Sequence, residues 1–182
     1  MWTWGYYRSL YALHNLAKTA PASLDPFPEF VSCLYHGCFD LLFIKINHFI
    51  DFTKGVCGLP NLFTLLRRYA PEKTQLLDHI KKDEKRLKRN AALGKINRWR
   101  KQISAHLTSS NDNLNFFNQN RLYLKQIETV IKTLEQIIEY YSEALLGRVN
   151  FMRDPSKKIT REVKTLFSGK PNKGIQRGQR RR

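Results

Sequence analysis

Residues 117–146, FNQNRLYLKQIETVIKTLEQIIEYYSEALL, decide the fold. Leu122, Leu124, Ile127, Val130, Ile131, Leu134, Ile137, Ile138, Tyr141 and Leu145 return at intervals of three and four. That spacing lines one face of a helix, because an α-helix turns once every ~3.6 residues. Lys, Glu and Gln fill the opposite face. No segment of the chain shows a convincing strand pattern, so the reading is all-α.

The rest of the chain repeats this pattern between sparse breaks. Pro21, Pro26 and Pro28 form one break, Gly55, Gly58 and Pro60 a second, and Pro71 a third. A first helix is predicted over about 3–18 and a loop over 19–26. A long helix follows over 27–54, carrying Phe30, Leu34, Leu41, Ile44, Phe49 and Phe52 and stopping at Lys54-Gly55. Asn61 is read as the cap of a short helix at 62–69. One helix is predicted over 72–105, with the stripe Leu76, Leu77, Ile80, Leu87, Leu93, Ile96, Trp99 and Ile103, and Gly94 is its expected kink or split. A polar loop, TSSNDNLN at 108–115, precedes the 117–146 helix, and a short helix is expected at 159–167. The predicted architecture is an antiparallel helical bundle of about four to six helices over 1–152, followed by a basic, largely flexible tail over 153–182.

The formal charge of +17 on 182 residues is not spread evenly. Residues 81–101 hold ten Lys and Arg against two acids, residues 153–182 hold eleven against two, and the remainder is neutral. Two concentrated basic segments on a neutral body point to a polyanion. Each phosphate that is neutralised releases condensed counterions and strengthens binding. Nucleic acid is the first candidate partner and an anionic membrane surface the second. The basic residues expected to hold RNA are Arg86, Lys88, Arg89, Lys95, Arg98 and Lys101, with Arg180, Arg181 and Arg182 in the tail.

Other classes find less support. Cys33, Cys38 and Cys57 form no paired framework, which fits a reducing compartment, and with His36 and His48 they match no common zinc spacing. No metal or other cofactor is expected. The N-terminus lacks a basic segment ahead of an uninterrupted apolar run, and LLFIKINHFI at 41–50 is short and polar-interrupted, so the expected location is the cytoplasm.

Within the second basic-helix half, INRWRKQISAH at 96–106 gathers Arg98, Arg100 and Lys101 with His106. Cleavage of RNA through its ribose 2′-hydroxyl needs a base, an acid and cations for the charge at phosphorus, and these residues supply that chemistry. Geometry sets a demand. On an ideal helix Arg100 and His106 lie about 9 Å apart in rise and roughly 120° apart around the axis. A frayed helix end or a second copy of the helix must bring them together. By itself, His106 is better read as a helix C-terminal group interacting with the last carbonyls. Asp51, at the end of the second helix, is a candidate to orient His106 through its other ring N–H.

The spacing of Arg100 and His106 resembles the Arg-x4-6-His motif of the HEPN superfamily, all-helical nucleic-acid proteins that include many metal-independent RNases. WRKQISAHL, FDLLFIKINHFID and LPNLFTLLRRY look most like the U-type branch of the abortive-infection proteins, over about 27–146. The resemblance implies a homodimer with Arg and His of two protomers in one composite cleft. Arg100 would stabilise the scissile phosphate and His106 would act as general base or acid. It also implies toxin or phage-defence biology, with a cognate antitoxin or regulatory protein as a further candidate partner. Two positions depart from the pattern: Lys101 stands where a polar Asn is frequent, and Thr108 stands where a modifiable Tyr occurs in some members. The expected function is therefore endoribonuclease. The alternatives are a non-catalytic RNA-binding protein on the same fold, and an adaptor for an acidic protein.

Overall fold

The computed structural model describes residues 2–26, 28–51, 53, 58–104, 116, 118–147 and 156–167. Among them are seven α-helices, one short 3-10 turn and no strand, so the fold is an all-α bundle. The helices are α1 (Trp2–Thr19), α2 (Pro28–Ile50), α3 (Leu59–Tyr69), α4 (Thr74–Arg89), α5 (Ala91–Ser104), α6 (Leu124–Leu146) and α7 (Ser156–Phe167). The predicted 27–54 stop at Lys54-Gly55, Cys57, the 108–115 loop, His106 and Arg180–Arg182 lie outside the described residues.

The apolar stripes meet in one core. Tyr7 and Leu10 of α1, Leu42, Phe43 and Ile46 of α2, Phe63 of α3 and Ile80 of α4 are buried together with Ile96 of α5 and Ile127, Ile137 and Tyr141 of α6. α1 packs on α2, α6 and α7, and α5 packs on α2 and α6. Polar groups at the core margin find partners across helices. Tyr7 Oη donates to Glu128 at 3.1 Å, Trp4 Nε1 to Glu135 at 3.3 Å, and Tyr141 Oη to Asp83 at 3.1 Å. Burial together with these carboxylates pushes both tyrosine hydroxyls far above their ordinary range.

Four boundaries differ from the sequence reading, each through local hydrogen bonding or sterics. The predicted 72–105 helix divides at Asn90 and not at Gly94. Asn90 has extended backbone, and its Oδ1 accepts the N–H groups of Ala92 (3.0 Å) and Leu93 (3.2 Å), so it caps a new helix. Gly94 lies inside α5. The last long helix starts at Leu124, after Asn120 forms a turn whose Nδ2 donates to Phe116 O at 2.9 Å; Tyr123 N–H then donates to Gln126 Oε1 at 3.0 Å. α2 ends at Ile50, and Asp51 Oδ1 accepts the Thr53 N–H at 2.8 Å just beyond it. Asn61 is not a cap: Gly58 takes that position, Pro60 enters the first turn, and Asn61 Nδ2 donates to Thr53 O at 2.8 Å.

Gly58 is required there by close approach. A Cβ at this position would stand 2.9 Å from His48 O and 3.1 Å from Asp51 O. The start of α3 therefore lies against the carbonyl end of α2. At the far end of the bundle Gly147, with φ +61°, stops α6 and donates its N–H to Glu143 O at 2.9 Å. α7 continues the predicted 159–167 helix to Ser156. Val163 is buried with Ala12 and Leu13 of α1, so this part of the basic C-terminal segment is docked on the bundle.

Two consequences are measurable. Ile80 is fully buried, and Ile80→Ala should lower stability by about 2–5 kcal/mol in urea denaturation. Arg67 binds the Glu84 carboxylate through both Nη atoms at 2.8 and 2.7 Å, joining α3 to α4, and this hydrogen-bonded cation holds the carboxyl below its usual 4.5. Because the folded-state value is lowered, the pair stabilises the fold above about pH 4.5, and that contribution is lost as pH falls through the folded-state value. Glu84→Gln should flatten this part of the acid limb when stability is measured against pH.

Candidate active site

The end of α2 and the whole of α5 form two walls of one cleft. Asn47, Ile50 and Asp51 come from α2 and the residue after it. Asn90, Leu93, Gly94, Asn97, Arg100 and Lys101 come from α5 and its cap. Thr53, Pro60, Leu87 and Lys88 close the ends. The volume of this open cleft is about 550 Å³. The α5 wall follows from helix geometry, since 90, 94, 97 and 101 are separated by four, three and four residues and fall on one face. Ile96, on the other side of that helix, is fully buried against α2.

Asp51 and Arg100 face this cleft from opposite walls. Thr53 hydrogen bonds hold the Asp51 carboxyl below its usual range, and the positive fields of Arg100 and His48 add to the effect. The carboxylate is therefore ionised near neutral pH and accepts hydrogen bonds without donating them. Lys101 stands in the last turn of α5, directly after Arg100, and Lys88 in the last turn of α4, where the helix dipoles favour positive charge.

The structure sorts the basic residues into two groups. Arg100, Lys101 and Lys88 line the cleft with Asp51. Arg89 and Lys88 border an adjacent shallow depression with Lys81 and Lys85. Three others are engaged within the protein. Arg86 Nη2 donates to Gln136 Oε1 at 2.9 Å on α6, Lys95 Nζ to Arg121 O at 2.9 Å, and Arg98 Nε to Asn120 Oδ1 at 2.5 Å. Lys95 and Arg98 thus clasp the segment before α6 and are not brought into the cleft. Trp99 is a packing residue: its Nε1 donates to Asn120 O at 2.9 Å, and its ring meets Phe39, Phe43 and Phe116 mostly edge to face. His106 and Arg180–Arg182 lie outside the described residues. Among those residues no group of three His, Cys, Asp or Glu is placed to hold a metal, and no helix is long and apolar enough to cross a membrane.

Sequence reasoning missed Asn47, Asn90, Gly94 and Asn97. Their signal was available in part, as a polar and small stripe on the same helix as Arg100. Asn47 was a polar interruption in an otherwise apolar helix. It is 3% exposed, and its Nδ2 donates to Phe43 O at 2.9 Å within α2 and to Ile96 O at 3.4 Å on α5.

A bundle with an Arg-bearing helix end, a facing carboxylate and a basic margin describes an all-helical protein with one charged cleft between two of its helices. The chain belongs to the AbiU2 family, an abortive-infection branch of the HEPN superfamily: the HEPN_AbiU2 model (AbiU2) matches residues 2–164. The match takes in α1 to α6 and most of α7. No curated protein and no solved structure matches the chain.

Gly94 contributes space and not backbone conformation, for nothing lies within 4 Å of the place its Cβ would occupy. Gly94→Ala should therefore raise the thermal midpoint, with a gain of up to ~1 kcal/mol from helix propensity.

Proposed function

We propose that the protein is a metal-independent endoribonuclease of a toxin or phage-defence system, acting as a homodimer at the Arg100 cleft. One observation carries this reading: the arginine of the family's motif stands near the end of α5 in a cleft of about 550 Å³, across from an ionised carboxylate. Family membership supplies the biological setting.

The chemistry is an internal transfer. A base takes the proton of the ribose 2′-hydroxyl, the 2′-oxygen attacks the neighbouring phosphorus, and the bond to the 5′-oxygen breaks as an acid protonates that oxygen. The products are a 2′,3′-cyclic phosphate and a 5′-hydroxyl. Arg100 stabilises the charge that builds on the non-bridging oxygens. His106, two residues beyond the described end of α5, serves as base or acid, since imidazole changes charge near neutral pH. A second protomer supplies the other of the two roles, which meets the roughly 120° offset of Arg100 and His106 on one helix. Lys88, Arg89 and Lys101 draw the strand to the cleft, and the tail arginines Arg180, Arg181 and Arg182 extend the basic surface. Arg86, Lys95 and Arg98 contribute field while fastening α4 and α5 to their neighbours.

Non-catalytic RNA binding on the same fold is the second reading. It is favoured by the exposed cations along α4, Lys81, Lys85 and Arg89, which border a depression outside the main cleft and meet that cleft at Lys88.

Purified protein should cleave RNA in the presence of a chelator, with products ending in cyclic phosphate. The Arg100→Ala and His106→Ala single variants should each lose at least about a hundredfold in rate, the scale expected for removing a general acid–base. Cleavage at equal rates by wild type and the double variant would defeat the RNase reading. Tight, salt-sensitive RNA binding without products would favour the second.

A further inference from the structure

The cleft holds more than a phosphate needs. Its volume of about 550 Å³ lies in the range of small-molecule sites. Ile50 and Leu93 offer apolar surface, and the α5 wall is lowered at Gly94, where no atom lies within 4 Å of a Cβ position. Beside Arg100 there is thus room for a flat ring.

The polar lining is selective in character. Asn47 is 97% buried by its 3% exposure, and it lines the cleft. Its Nδ2 donates to two carbonyls, Phe43 O and Ile96 O, which fixes the orientation of the amide. What remains is Oδ1, a buried acceptor that has no hydrogen-bond partner among the described residues. Buried polar atoms without a partner are rare, and this one belongs to a residue that lines the cleft. Asp51, on the same wall, is an acceptor as well, and a carboxylate has capacity beyond its bonds from Thr53. The α2 wall of the cleft therefore asks its occupant for N–H donors.

Among nucleobases, guanine alone sets two donors side by side on its pairing edge, N1–H and the N2 amino group. Uracil offers one N–H between two carbonyls, which would be set against acceptors. Adenine and cytosine each place one amino group beside a ring lone pair. The geometry points to a guanine-selective base seat: Asp51 takes the N1–H and N2–H pair, Asn47 Oδ1 adds a further acceptor, and Arg100 holds the adjoining phosphate. This rests on the RNase reading of Arg100, and it gives Asp51 a partner in the substrate in place of the His106 ring.

The test is equilibrium binding of 3′-GMP, 3′-AMP, 3′-CMP and 3′-UMP to the full chain by titration calorimetry, alongside Asp51→Asn and Gly94→Leu. Wild type should bind 3′-GMP at least about tenfold more tightly than 3′-UMP, the discrimination typical of one two-point contact. Asp51→Asn should bring the four nucleotides to within about twofold of one another on the same scale. Gly94→Leu, which places a side chain in the open part of the cleft, should weaken all four. Circular dichroism checks that both variants are folded. Equal affinities in wild type, absence of nucleotide binding, or a guanine preference that survives Asp51→Asn would each overturn the seat. Mapping RNA cleavage separates the two readings. Arg100-dependent cleavage without base preference defeats the seat alone, and guanine binding without cleavage defeats the RNase reading alone.

Discussion

α5 lies against α2 because Ile96 and Leu93 are buried beside Phe43 and Ile46, and one amide then registers the two helices. Asn47 Nδ2 donates to Phe43 O in its own helix and to Ile96 O in the next. The apolar contacts carry most of the stability, since a buried hydrogen bond nets only about 1 kcal/mol. The amide contributes register. An apolar residue at 47 would leave the Ile96 carbonyl without this donor and would allow α5 to slide or turn. Arg100 stands one helical turn beyond Ile96, so its place opposite Asp51 depends on that register.

The other features of the site follow from where helices are made to stop. Asp51 reaches the cleft because α2 ends one residue earlier, and Gly58 lets α3 start against that same carbonyl end. Asn90 interrupts what would be a continuous basic helix, and so α5 can take its own direction across α2. Lys95 and Arg98 then fasten its far side to Arg121 O and Asn120 Oδ1. Positive charge does two separate jobs on one short helix. On one face it is hydrogen-bonded into the structure, and on the other it faces the cleft with Asp51.

These particulars explain what was legible in the sequence. The recurrence from Ile127 to Tyr141 gave the all-α class, because a buried stripe leaves its period in residue order. The same rule did not find the break at Asn90, since capping is a local hydrogen bond that leaves no periodic trace. Arg100 and Asp51 were found from a motif and a helix end, and the structure brings both to one cleft. Counting charge singled out Arg86, Lys95 and Arg98 with the other cations, and it says nothing of the carbonyl or amide that each one meets. Asn47 escaped because a polar residue in an apolar helix reads as a gap in the pattern, and its role appears only when the neighbouring helix supplies a carbonyl.

The docking of α7 on α1 bears on how the chain is made. Ala12 and Leu13 leave the ribosome about 150 residues before Val163, which packs against them. During synthesis that patch of the first helix stays bare while the middle of the bundle is already able to assemble. This contact therefore joins two helices that lie far apart in the chain, and it can form only after the intervening helices have been made.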